Sequence, residues 1–205
     1  MATFRQQHWG VALVTLGLSV FAANVQALSY QAGTNSTQIT QALDGPGLSI
    51  SNLVVSRGQT EQYGVFTNGK SILAVDSGVF LNTGNLGSVQ GVNYAADYSF
   101  NTKVVYADPD LTRLSPQAKY DPVIIELDIV PQGDRLNFVY AFGSEEYPEY
   151  VCSRFNDVFG LFVSGPGLNG VQNAAFLPDS HDPIAVNYVN SGVQGQFADG
   201  TSCNL

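Results

Sequence analysis

The chain is short of positive charge. It carries 8 Lys and Arg against 17 Asp and Glu in 205 residues, a formal net charge of −9. An acidic surface repels phosphate backbones, so nucleic acid is excluded as an expected partner. Histidine is scarcer still, with two in all, His8 and His181. His8 falls in the leader described below. One remaining histidine cannot build an H-E-x-x-H zinc site. Nor does a nucleophile-elbow motif accompany His181 to complete a Ser-His-Asp triad, so in PDSHDP it reads as a polar loop residue. The helix-forming residues Lys, Glu and Met are few, whereas 21 Gly and many aromatics are present. That composition suits short strands and turns better than helices.

A long hydrophobic run is also missing. The apolar stretch Trp9 to Ala23 is uncharged, but about 20 residues are needed to span a bilayer. It follows Arg5 and runs into NVQA, which puts Val25 and Ala27 where signal peptidase reads small residues. Residues 1–27 are therefore expected to be a secretory signal peptide, cut between Ala27 and Leu28. The competing reading, an uncleaved anchor, is disfavoured by the shortness of the run. After removal no membrane span is expected. Arg5 leaves with the leader, so the mature chain is one unit more negative.

Residues 28–205 are enough for one domain with a real core. One short helix is expected near the start, in NSTQITQALDGPG. Asn35 can cap it, Gln38 can reach back, Ile39, Ala42 and Leu43 share a face, and Gly45-Pro46-Gly47 ends it. Strands follow. Leu48 and Ile50 alternate, then Leu53 and Val55 alternate in the opposite phase, so a bulge is expected near Ser51-Asn52. In PVIIELDIV, Val123, Ile125, Leu127 and Ile129 point one way, and Glu126 and Asp128 the other. Pro131-Gln132-Gly133-Asp134 supplies a turn. RLNFVYAF then aligns Leu136, Phe138, Tyr140 and Phe142. The expected hairpin pairs Ile129 with Leu136, Leu127 with Phe138 and Ile125 with Tyr140. Asp157 to Val163 leaves almost no polar face and reads as a central strand buried on both sides. Ile184, Val186 and Tyr188 alternate as one more. Sheets with one apolar and one wet face need a second layer, so the expected fold is all-β, a mostly antiparallel, jelly-roll-like β-sandwich with one short N-terminal helix. SGPGLNG matches G-x-G-x-x-G at Gly165, Gly167 and Gly170. No helix opens there, so it reads as a loop and not a nucleotide site.

The string VYAFGSEEYPEYV…RFNDVFGLFVSGPG, together with QALDGPGLSISN, QYGVFTNG, VDSGVFLNTGN and DPDLTRLS in that order, resembles the choice-of-anchor L domain family of bacterial secreted and surface proteins. The resemblance runs from about Gln38 to about Leu205. It implies a β-rich exported protein of the cell surface or extracellular matrix, and it implies no defined catalytic activity. The family's blocks continue past the point where this sequence stops, and SGVQGQFADGTSCNL reads as turn and loop. The domain is therefore expected to be truncated at its C-terminus, the competing reading being a complete domain with a disordered tail.

The acidic crossing FGSEEYPEYVCSRFNDVFG raises the question of a site. Glu145, Glu146, Glu149, Asn156 and Asp157 all present oxygen, and calcium takes about six to eight oxygen ligands. Asp108 and Asp110, in DPD, could add more. The competing structural reading has these carboxylates accepting backbone N–H bonds and pairing with Arg154. No other cofactor is expected. A glycosidase would need two carboxylates across a cleft, for which Glu145 and Glu149 are candidates with nothing to place them there. Tyr147 and Tyr150, with Tyr94 and Tyr98, are candidate sugar platforms, or tyrosines packed at a sheet edge. Cys152 and Cys203 are an even count in an oxidising compartment, so a bridge between them is weighed against two thiols, or a bond to a cysteine outside this sequence. A loop of about 50 residues would be stabilised by roughly 4 kcal/mol in the chain-entropy account. The expected function is a structural or adhesive role at the bacterial surface or in its matrix, without catalysis, towards surface or matrix polymers or proteins. A calcium-dependent carbohydrate-binding module and a glycoside hydrolase-like enzyme are the alternatives.

Overall fold

A computed structural model describes residues 27–85, 87, 102–147 and 150–190. The chain opens with β1 (Ser29–Ala32) and helix α1 (Ser36–Leu43). Asn35 caps α1 as a capping box. Its side chain accepts from the Gln38 N–H at 3.0 Å, and Gln38 Oε1 accepts from the Asn35 N–H at 3.2 Å. Ile39, fully buried, presses α1 onto the strands that follow.

Those strands are β2 (Leu48–Arg57), β3 (Tyr63–Thr67) and β4 (Gly78–Leu81), with the single-turn α2 (Lys70–Leu73) between the last two. The antiparallel order β1-β3-β4 makes a three-stranded sheet. Phe66 and Phe80 stack across it at 4.6 Å. Gly64 is there because β1 passes so closely that a Cβ would sit 2.0 Å from the Gln31 carbonyl oxygen. After the six-residue α3 (Pro109–Leu114) comes β5 (Ile124–Pro131), antiparallel to β2. The register slips between Ser51 and Val54. Asn52 takes φ +53 there and donates its amide to Asp128 at 2.6 Å. The expected bulge is therefore present, and Leu53 turns into the core.

The C-terminal part is built from two-residue strands: β6 (Val158–Phe159) with β9 (Ile184–Ala185), and β7 (Phe162–Val163) with β8 (Gln172–Asn173). The molecule is thus mostly antiparallel strand with short helices, and among the described residues the strands form four separate ladders.

Four expectations are corrected. The hairpin between 123–131 and 135–142 does not form: β5 pairs with β2 instead. The Gln132 N–H continues that ladder to the Gly47 carbonyl, so the turn residues are held on the β2 side and cannot fold the chain back. Asp157 to Val163 is not one strand buried on both sides. It breaks at Gly160, where a Cβ would lie 2.5 Å from the Phe162 ring, and its residues are half-buried. The strand through Ile184, Val186 and Tyr188 stops at Ala185, because the Tyr188 and Val189 N–H groups both turn back to the Ala185 carbonyl. Finally, α2 and α3 accompany the one expected helix; α3 is started by Asp108, whose carboxylate accepts from the Asp110 and Leu111 N–H groups, with Pro109 in the first turn.

Candidate functional site

Phe142 packs into a small core of Val151 and Val186, together with Tyr147 and Cys152. The acidic crossing wraps this core as a series of turns. Ser144 Oγ accepts the Glu146 N–H at 3.2 Å and donates to Asp157 Oδ2 at 3.4 Å. The Tyr150 N–H reaches the Glu146 carbonyl and the Ser153 N–H the Tyr150 carbonyl.

Two asparagines fasten the crossing. Asn187, 2% exposed, accepts the Cys152 N–H on Oδ1 at 2.7 Å and donates to the Ser153 carbonyl at 3.4 Å. The first of these bonds holds Cys152 at φ +68, a conformation costly for a residue with a Cβ. The Asn187 N–H in turn donates to Asn156 Oδ1 at 2.9 Å, and Asn156 Nδ2 donates to the buried Ser115 Oγ at 3.1 Å. The Val186 N–H closes onto the Asp157 carbonyl. The crossing, β9 and the segment after α3 are thereby joined by side-chain amides. Buried amides that are fully bonded rigidify such junctions.

The carboxylates are poorly solvated. Burial raises the Asp157 pKa above its ordinary value; the Ser144 hydrogen bond opposes this, and the charge of Asp121 adds to it. Glu146 is raised by burial and then by the charges of Asp157 and Glu145, and Tyr147 by burial and then by Asp157. Asp121 is itself buried, its carboxylate accepting from the Thr102 hydroxyl and the Val104 N–H. Its carbonyl, with that of Thr83, accepts the side-chain amide of the buried Gln62.

Glu145, Glu146 and Asp157 are thus close enough to act on one another electrostatically. Asn156 is tied to Asn187 and Ser115, and Glu149 lies outside the described residues. Among the described residues, no three His, Cys, Asp or Glu side chains come together closely enough to hold a metal ion. Asp108 caps α3 and Asp110 pairs with Arg113, so neither is in the crossing. Arg154 lies over the Phe155 ring at 5.0 Å. The Tyr147 hydroxyl is buried and has no partner among the described residues, while the Tyr150 ring meets Phe155 edge-on at 5.2 Å. His181 is exposed and stacks edge-on against Phe176. Ala27 is exposed and Leu28 buried. Residues 1–26, Tyr94, Tyr98 and Cys203 lie outside the described residues, and so does the partner proposed for Cys152. Asn187, Ser115 and Asp121 were not singled out by sequence. Their one signal is a polar side chain set in an apolar or Pro-bounded run, as in IAVNYV and YDPV.

The choice-of-anchor L domain family matches residues 25–204, nearly the whole chain. No curated protein and no solved structure matches it. No helix among the described residues is long and apolar enough to cross a membrane. The chain belongs to the choice-of-anchor L domain family, and membership points to a bacterial surface-associated or secreted protein.

Proposed function

We propose that this choice-of-anchor L chain is an exported domain of the bacterial surface or matrix that acts as a structural or adhesive element, without catalysis. Its partners on this reading are surface or matrix polymers or proteins. The supporting observation is the use made of the crossing's polar groups: Asn156, Asn187, Ser115 and Ser144 bind one another and the backbone, which is the chemistry of a cross-link. Export rests on residues 1–27 as the leader. The test is fractionation of the producing bacterium, an intact mass of the exported protein and an adhesion assay on a deletion strain. An exported chain beginning at Leu28 and a loss of adhesion support the reading. Retention in the cytoplasm would sink it, as would a glycosidase activity abolished by Glu145→Gln.

A second reading, a calcium-dependent carbohydrate-binding module, has one observation in its favour. Asp157 and Glu146 raise each other's neighbourhood in pKa, so a cation among Glu145, Glu146, Glu149, Asn156 and Asp157 would relieve repulsion. Tyr147 and Tyr150 would flank the sugar. Calcium should then raise the melting temperature, Glu146→Ala should abolish the rise, and a glycan array should show calcium-dependent binding. Identical melting in calcium and in chelator removes the idea. A Cys152–Cys203 bridge is part of the same proposal for an exported chain; alkylation without reduction that labels two thiols per chain excludes it.

A further inference from the structure

Residues 135–144 run without a turn or bend and belong to no ladder. None of the backbone groups from Arg135 to Gly143 is hydrogen-bonded to a described residue. Yet the sequence RLNFVYAF is strand-forming and alternates. Its inner face is anchored: Tyr140 stacks on Phe159 at 5.1 Å and Phe142 enters the Val151–Val186 core. The rest is open to water, with Leu136 40%, Phe138 41%, Tyr140 41% and Val139 77% exposed. An extended segment that is pinned in place, apolar and unpaired along its backbone is an open template for strand addition.

We propose that this segment is the contact by which two copies of the chain associate, strand against strand and antiparallel about a two-fold axis. Charge selects the occupant and the direction. The segment starts at the cation Arg135 and ends at Glu145-Glu146. Antiparallel pairing with itself brings each Arg135 to the acidic end of the other copy, twice over, whereas parallel pairing would set like charge beside like. A register centred on Tyr140 places Phe138 opposite Phe142 and Val139 opposite Ala141. The apolar faces of both copies then form one continuous surface, and a self-complementary contact of this kind closes as a dimer. The proposal stands on the backbone of this segment and not on where the protein resides, so it can fail without touching the surface-associated reading.

The test is sedimentation equilibrium of the full exported chain, with amide hydrogen exchange followed over about a hundredfold dilution. The wild type should be a dimer that dissociates on dilution, and amides of 135–143 should be protected only while it is dimeric. Val139→Lys, on the exposed outer face, should weaken association about tenfold or more, because it sets two lysines near the axis. Arg135→Glu should also weaken it, by opposing the acidic end. Neither variant touches a packed side chain, so the melting temperature of the monomer should not move. A monomer at every concentration overturns the proposal. So does a dimer indifferent to both variants, or protection that persists on dilution, which would mean that another part of the same chain covers the segment.

Discussion

The β2–β5 ladder and the acidic crossing are held by different means. In the ladder, seven residue pairs from Leu48 to Arg57 are matched by backbone hydrogen bonds, interrupted only at the bulge. In the crossing, strands of two residues could not stand alone, and the side chains of Asn156, Asn187, Ser115 and Ser144 supply the bonds that a ladder would have made. A ladder spreads its stability over many equivalent bonds. A bridged crossing concentrates it in a few side chains, so it is more vulnerable to single substitutions.

The largest effect tests the exception within the ladder region. Gly64→Ala should destabilise by about 3 kcal/mol or more, since the new Cβ meets the backbone of β1 and not a yielding side chain. Urea denaturation measures it, and a midpoint within error of wild type would show that β1 can move away freely.

Asn187→Ala should cost about 2–3 kcal/mol, because it leaves the Cys152 N–H without its acceptor in a site where Asn187 is 2% exposed. The matched control on the ladder is Val54→Thr, at a residue 48% exposed, with an expected change of about 0.5 kcal/mol or less. Equal effects of the two would erase the contrast between the regions.

The smallest effect has the opposite sign. Asp157 has a raised pKa, from burial first and Asp121 in addition, so the folded protein binds that proton more tightly than the unfolded chain does. Its charge therefore opposes folding at neutral pH. Stability should rise as the pH falls through the raised value and stop rising below the ordinary 3.8. Asp157→Asn should raise the melting temperature at pH 7 and flatten this part of the profile. A profile unchanged by the substitution would mean that Asp157 is neutralised by something other than a proton.

Much of the N-terminal region was legible because its signals are local. The box at Asn35 and Gln38 spans three residues, and the change of phase from Ile50 to Leu53 announces the bulge within one strand. The faces of β5 were legible for the same reason: Ile125, Leu127 and Ile129 are half-buried and Glu126 and Asp128 exposed. The start of α3 was equally local, in Asp108-Pro109, but its cap was read as a pair of metal oxygens. The crossing's acidic character could be read directly, whereas its fastening could not. Asn187 is 35 residues from Cys152 and 31 from Asn156, and nothing in IAVNYV says which backbone its amide will meet.

By itself the sequence determined the strand-rich character, the capped first helix, the bulge and the acidity of the crossing, each encoded within a few neighbouring residues. Only the tertiary structure decided that β5 takes β2 as its neighbour, that RLNFVYAF is left unpaired, and that Asn187 holds the crossing. A period-two pattern fixes which face of a strand is apolar, but every edge of suitable length offers the same N–H and C=O groups. Which edge wins is settled by contacts between residues far apart in the chain, such as the Gln132 N–H on the Gly47 carbonyl.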